Sequence, residues 1–256
     1  MKIVKILFVI VALCNSTLYA DQIKNIMRVG KLIKSSKAFS PKQIAKFEKV
    51  LEETKGTEKL GKLLGKMNLK NEVLEDTFMR LAIYRKKIKA KEAKEIFLNL
   101  SGTKGFRTTL RKVIGNSGNK TAGHLNELKI ANSATKNGFK VKNIGERFVD
   151  GIKKSATDLD VLLKRKGKTF VIEAKDYSSK TSIPLDKFRG DMDTLVSYVN
   201  KNSSEKVIPI FSMTNKPNSA LKLKQLEKMA EKKGVQLIFG NPQEQVEQIK
   251  LLGEIL

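Results

Sequence analysis

Hydrophobic residues follow two different periods along the chain. Before about residue 115 they recur every three or four positions, as at Val73, Leu74, Phe78 and Leu81, which predicts amphipathic helices. After a turn-rich segment at 116–120, short apolar runs alternate with helical patterns, which predicts strands between helices. We therefore expect an all-helical region over residues 21–116 and a second domain over residues 117–256.

The second domain has predicted elements in the order α-β-β-β-α-β-α-β-α. The predicted helices cover residues 121–137, 185–200, 218–233 and 243–252, and the predicted strands cover residues 139–144, 158–164, 169–175, 207–213 and 235–239. Such an order predicts a mixed sheet flanked by helices. The expected fold class is therefore α+β, or mixed α/β, preceded by a helical region.

The strands at 158–164 and 169–175 fit a hairpin whose two-residue turn is Lys166-Gly167. Counting back from this turn places Asp160 opposite Glu173. Directly opposed residues lie on the same face of a hairpin, so these two carboxylates are predicted to be close together.

The same register places Asp158 opposite Lys175, which predicts one face carrying four charged side chains. The opposite face is expected to be the buried one. Its predicted residues are Leu159, Val161, Leu163, Phe170, Ile172 and Ala174.

Two opposed carboxylates repel each other, and a divalent cation would offset that repulsion. Oxygen ligands suit Mg²⁺, and a nearby lysine can orient an attacking water and stabilise developing negative charge. A second interpretation remains open, in which Asp158 and Lys175 form an ordinary cross-strand ion pair on a surface face.

Asp160 together with Glu173-Ala174-Lys175 resembles the signature of the PD-(D/E)xK nuclease superfamily. The resemblance covers about residues 121–213. Leu159 stands where the proline that gives the family its name would be. The resemblance implies a restriction-endonuclease-like core of order α-β-β-β-α-β, as also found in Holliday-junction resolvases.

The resemblance also implies roles for individual residues. Asp160, Glu173 and Lys175 would be catalytic. The metal, Mg²⁺ or Mn²⁺, would be held by Asp160, Glu173, the Ala174 carbonyl and Glu127 on the preceding helix. Weaker candidates for substrate binding are Lys180, Lys187, Arg189 and Tyr177, each of which equally fits a surface residue in a lysine-rich chain. His124 is a further candidate, although a helix cap or a surface residue is the favoured interpretation of it.

Charge narrows the range of partners. Lys and Arg total 51 against 26 Asp and Glu, a formal net charge of +25. This excess favours polyanionic partners such as nucleic acid or anionic lipid. One cysteine, Cys14, and one histidine, His124, exclude cysteine-based and multi-histidine metal sites.

Residues 1–20 have the pattern of a secretory signal peptide. Lys2 and Lys5 precede an apolar run that is too short to span a bilayer, and Ala20 precedes the expected mature start at Asp21. Cleavage would remove two lysines and leave 25 − 2 = +23. We expect a secreted or periplasmic protein without a transmembrane segment after cleavage.

These observations predict an exported, metal-dependent endonuclease that acts on nucleic acid, with DNA favoured over RNA by the resemblance alone. An exported nuclease fits either the scavenging of extracellular nucleic acid or a toxin or effector. A toxin would require an immunity or inhibitor protein as a partner, or a delayed activation step. Two alternatives remain: a catalytically inactive, basic nucleic-acid-binding protein, and an envelope protein attracted to an anionic membrane surface.

Overall fold

The computed structural model describes residues 70–115, 118–149 and 157–255. The predicted signal peptide, the start at Asp21, the helical patterns before residue 70 and residues 116–117 of the turn-rich segment lie outside this range. The chain divides into two compact units. One runs to Gly102 and includes Leu110–Thr121, and the other comprises Thr103–Thr109 and Ala122–Leu256.

The first unit contains helices α1 (Asn71–Tyr84) and α2 (Ala90–Leu100), and most of α3 (Phe106–Gly115). Its core is built from the predicted apolar stripe, because Leu74, Phe78, Leu81, Ile88, Ala93, Ile96 and Leu100 are all buried. The buried Glu75 carboxylate accepts hydrogen bonds from the Ser101 hydroxyl at 2.8 Å and the Gly102 N–H at 3.0 Å. It thereby ties α1 to the end of α2.

The remaining elements reproduce the predicted order. They are α4 (Gly118–Lys136), β1 (Lys140–Phe148), β2 (Thr157–Arg165), β3 (Lys168–Lys175), α5 (Leu185–Lys201), β4 (Lys206–Met213), α6 (Ala220–Lys232), β5 (Gln236–Phe239) and α7 (Pro242–Ile255). Local signals account for several boundaries. Gly138 follows α4 with φ +78°, as is common after helices, and the Ser219 hydroxyl accepts a hydrogen bond from the Lys222 N–H at the start of α6.

The strands form one mixed sheet in the order β1-β2-β3-β4-β5. The pairs β1–β2 and β2–β3 are antiparallel, whereas β3–β4 and β4–β5 are parallel. The expected mixed sheet flanked by helices is therefore confirmed.

The predicted hairpin register is also confirmed, from the Arg165–Lys168 pair to the Val161–Ile172 pair. Lys166 and Gly167 both have positive φ angles, +48° and +74°. Positive φ at both central positions is characteristic of a type I′ hairpin turn, whose twist matches that of the strands.

The prediction of a single buried face is wrong, because helices cover both faces of the sheet. Residues 169–174 of β3 are buried in succession. On one face, α5 packs over β3 and β4, and α6 packs on β5 and α5. The cluster there contains Leu159, Leu162, Val171, Ile183, Phe188, Met192, Leu195, Phe211, Met213, Leu226, Ala230 and Val235. Leu159 thus shares a cluster with Leu162, although strict alternation along β2 would place them on opposite faces.

Helix α7 lies against the opposite face, where Gly253 approaches the ring of Phe170. A Cβ atom at Gly253 would lie 2.8 Å from Phe170 Cζ. Phe170 is 1% exposed and makes an edge-to-face contact with Phe139 at 5.5 Å. The ring has little room to move, so only glycine fits here without rearrangement. Within residues 70–115, 118–149 and 157–255, no helix is long and apolar enough to cross a membrane.

The close approach of Gly253 to Phe170 predicts that one added methyl group at position 253 destabilises the fold. Gly253→Ala should lower the free energy of unfolding by about 1–3 kcal/mol, because the new Cβ displaces a buried ring. Gly190→Ala is the matched control, since a Cβ there meets nothing within 4 Å and alanine favours the helix by up to about 1 kcal/mol. Urea denaturation measures both changes. Equal stability of the two variants would contradict the proposed packing.

Candidate active site

The candidate site lies where β2 and β3 stop pairing. The ladder of paired residues ends at Val161–Ile172. Asp160, which precedes Val161 on β2, contacts β3 through its side chain. Its Oδ2 accepts a hydrogen bond from the Ala174 N–H at 2.7 Å. The Asp160 carboxylate is therefore held against the backbone of the Glu173-Ala174-Lys175 segment.

Lys175 is the cation at the centre of the site. Its Nζ donates to Glu173 Oε1 and lies 3.3 Å from Asp191 Oδ2. The side chains of Lys175, Glu173 and Asp191 are only 17%, 9% and 16% exposed. The ammonium group is thus shared between one carboxylate of its own strand and one from helix α5.

Glu127 approaches from helix α4. Its Oε1 lies 2.7 Å from His124 Nδ1, and its side chain is 7% exposed. Its negative charge raises the pKa of both Asp160 and Glu173. The structure therefore brings together four of the residues assigned to catalysis or metal binding: Asp160, Glu173, Lys175 and Glu127. The fifth, Ala174, supplies the N–H that holds Asp160.

Burial and crowding of negative charge dominate the electrostatics of the site. Burial raises the pKa of Asp160 well above its usual range, the charges of Glu173 and Glu127 raise it further, and Lys175 and the Ala174 N–H partly oppose this. Burial also raises the pKa of Glu173, to about 7, with Lys175 opposing and Asp191 and Glu127 adding to the shift. The positive charge of Lys175 is therefore too small to offset the effects of burial and of the neighbouring carboxylates on Asp160 and Glu173.

Lys175 itself remains protonated. Burial lowers its pKa, but the charges of Glu173, Asp160 and Asp191 more than reverse this, so that its pKa is raised. Glu173, Asp160 and Asp191 thus act on a single ammonium group, and Glu127 adds negative charge near Asp160 and Glu173. One lysine does not balance these carboxylates when they are ionised.

Asp158 occupies a different position from the one predicted. It is exposed and lies opposite Arg147 of β1. The β2–β3 ladder has ended before Asp158, so the hairpin register that placed it beside Lys175 does not continue to this residue.

Asp191 is the residue that the sequence analysis missed. The apolar face of α5 includes Phe188, Met192 and Leu195, all of which are buried. Asp191 follows Phe188 by three positions and precedes Leu195 by four, so it lies on this same face. A charged residue at a core-facing position of an amphipathic helix was the available signal.

The weaker substrate-binding candidates occupy several environments. Lys180 and Lys187 are exposed, and Arg189 is exposed and pairs with Asp186 at 3.0 Å. Tyr177 packs partly against the apolar cluster under α5, and His124 pairs with Glu127.

The carboxylate and carbonyl oxygens at this site are of the type that a hard divalent cation prefers as ligands. In the described part of the chain, no group of three His, Cys, Asp or Glu side chains is arranged to hold a metal ion. After burial, the charge of Glu173 is the next cause that raises the pKa of Asp160, so these two carboxylates lie close together. Carboxylate and carbonyl oxygens are the ligands that Mg²⁺ and Mn²⁺ prefer. A cation between them would supply the missing positive charge.

Comparison with models of protein families, with curated proteins and with solved structures finds no match to this chain. The evidence for a function therefore lies in the geometry and electrostatics of the site.

The electrostatic description predicts how the Glu173 pKa responds to its neighbours. Asp191→Asn should lower this pKa from about 7, because a negative neighbour is removed, and Lys175→Met should raise it. Asp193→Asn is the control on the same helix, since Asp193 pairs instead with Lys233. Carbon-13 NMR titration of labelled glutamate carboxyl groups measures each value. A Glu173 pKa near 4.5 that none of these substitutions changes would contradict the description.

Proposed function

We propose that the chain is a metal-dependent nuclease that hydrolyses phosphodiester bonds, with Asp160, Glu173 and Lys175 as its catalytic residues. The observation that carries the proposal is the buried group of carboxylates around Lys175 at the end of β3. Charged side chains are costly to bury, and such groups are concentrated at functional sites.

The element order supports the proposal. Elements α4, β1, β2, β3, α5 and β4 follow the α-β-β-β-α-β order that the resemblance to PD-(D/E)xK nucleases implies. The two strands that carry the proposed catalytic residues are adjacent and antiparallel. A restriction-endonuclease-like core is therefore part of the proposal.

Asp160, Glu173 and the Ala174 carbonyl would hold Mg²⁺ or Mn²⁺. Glu127 would join them directly or through a water, after weakening its contact with His124. A bound divalent cation acidifies a coordinated water and stabilises negative charge on a phosphate oxygen. The contribution of the protein is to hold these carboxylates close together and partly shielded from solvent, where a bound cation would favour their ionised forms.

Lys175 has two roles in this proposal. Its ammonium group can orient the attacking water by hydrogen bonding, and it stabilises the negative charge that develops on the phosphate during the reaction. Because its pKa is raised, Lys175 acts as a permanent cation and not as a general base. The proton lost by the attacking water would therefore have to pass to solvent or to a neighbouring carboxylate.

The substrate is proposed to be nucleic acid, with DNA as the first choice. The formal net charge of +25 favours binding to phosphate backbones through counterion release. Lys180 lies between β3 and α5, and Lys187 lies in the first turn of α5. Both are exposed and follow the catalytic strand, so they are candidates to contact phosphates.

We also propose that the protein is exported. The pattern of residues 1–20, with lysines, an apolar run and Ala20, supports a cleavable signal peptide. An exported nuclease is best understood as a toxin or effector, with an immunity or inhibitor protein as its partner.

A second candidate function is favoured by the charge alone. A basic nucleic-acid-binding protein without catalysis would need the lysines but not the buried carboxylates. An envelope protein bound to anionic lipid would likewise not depend on Asp160 or Glu173. Both alternatives leave the burial of these carboxylates unexplained.

The nuclease proposal predicts a separation of cleavage from binding. The purified chain starting at Asp21 should cleave DNA with Mg²⁺ and lose this activity in EDTA. Asp160→Asn, Glu173→Gln and Lys175→Ala should each reduce cleavage by about 100-fold or more. The two carboxylate variants should bind DNA at least as tightly as the native protein, because less negative charge faces the phosphates.

Asp193→Asn serves as the control for the loss of one negative charge, since Asp193 pairs with Lys233 outside the proposed site. It should retain native activity. Full activity in EDTA, or in the Glu173 variant, would refute the nuclease assignment. DNA binding without cleavage by the native protein would favour the basic-binder alternative, and vesicle binding that is independent of Asp160 would favour the lipid alternative.

A further inference from the structure

Lys175 contacts two carboxylates, one from its own strand and one from a helix. Glu173 precedes it by two residues on β3 and therefore lies on the same side of the strand. Asp191 belongs to α5, which packs on both β3 and β4. One partner thus moves with the lysine backbone, whereas the other is fixed independently by the packing of a helix.

The proposed function places competing demands on Glu173. Its Oε1 accepts a hydrogen bond from Lys175, yet Glu173 is also a proposed ligand of the divalent cation. Two positive charges on one carboxylate repel each other strongly in a partly buried site. Cation binding to Glu173 therefore favours a weaker contact between Lys175 and Glu173.

Asp191 is suited to receive the released ammonium group. Its side chain is 16% exposed and its Oδ2 lies 3.3 Å from Lys175 Nζ. This buried oxygen nevertheless makes no hydrogen bond with adequate geometry among the described residues. A carboxylate oxygen with unused hydrogen-bonding capacity thus lies within a small side-chain movement of Lys175.

We propose that Asp191 is a positioning residue that retains Lys175 at the site when the divalent cation takes Glu173. The inference rests on the proposed function and deepens it. In the cation-free state Lys175 is shared between Glu173 and Asp191. In the cation-bound state it moves towards Asp191, where it stays charged and close to the reacting phosphate. Asp191 therefore acts through Lys175 and does not bind the cation itself.

The proposal predicts how cation affinity changes. In Asp191→Asn, Lys175 depends on Glu173 alone and competes more strongly with the cation, so Mn²⁺ affinity should fall by about tenfold. Lys175→Met should raise Mn²⁺ affinity, because the competing ammonium group is removed. Asp191→Glu, which keeps the carboxylate and can still reach Lys175, should restore much of the native affinity.

A double-mutant cycle separates action through Lys175 from a direct effect of the Asp191 charge. If Asp191 acts through Lys175, Asp191→Asn should change Mn²⁺ affinity much less in the Lys175→Met background than in the native protein. If Asp191 only contributes negative potential, its loss should have the same effect in both backgrounds. Asp193→Asn is the control for removal of one charge from α5.

The experiment is titration of the cation-free chain with Mn²⁺ alone, followed by electron paramagnetic resonance. Thermal denaturation in EDTA confirms that each variant folds. A tenfold loss in Asp191→Asn that disappears in the Lys175→Met background supports the proposal. Equal losses in both backgrounds, or native affinity in Asp191→Asn, would overturn it while leaving the cation site intact. Absence of Mn²⁺ binding that depends on Asp160 in the native chain would instead refute the proposed function.

Discussion

The balance of charge around Lys175 is the constraint on which the rest of the site depends. Asp160, Glu173 and Asp191 act on one ammonium group in a largely buried environment, and Glu127 adds its charge near Asp160 and Glu173. Removing ionised groups from water is expensive unless they are paired. Burial, with Asp191 and Glu127 adding to its effect, raises the pKa of Glu173 to about 7 although Lys175 opposes the shift. A divalent cation bound by Asp160 and Glu173 would offset the remaining negative charge, and this connects the structure to the proposed chemistry.

The architecture concentrates these charges by covering both faces of the sheet. Antiparallel pairing of β2 with β3 brings Asp160 to the Glu173-Ala174-Lys175 segment, whereas parallel pairing of β3 with β4 allows α5 to cross the sheet between them. Helices α4 and α5 then supply Glu127 and Asp191. The site is thus assembled from four elements, α4, β2, β3 and α5, and each contributes one charged group or one pair.

Much of this arrangement could be predicted from local rules. The Lys166-Gly167 turn determines the hairpin register, and alternation then places Asp160 near Glu173. The predictions were wrong for the features that depend on how the helices and strands pack together. The burial of both faces depends on where the helices lie, and the separation of Asp158 from Lys175 depends on where the ladder ends. Asp191 was missed because its contact with Lys175 depends on the rotation of α5 against the sheet, which its own sequence indicates only through a charge on an apolar face.

The most direct test of the central claim is the position of a bound cation. Crystals of the protein soaked in Mn²⁺ and measured near the manganese absorption edge would locate it by anomalous scattering. The account predicts a peak coordinated by Asp160, Glu173 and the Ala174 carbonyl, with Lys175 displaced towards Asp191. A site free of anomalous signal at saturating Mn²⁺, with Lys175 still bound to Glu173, would contradict it.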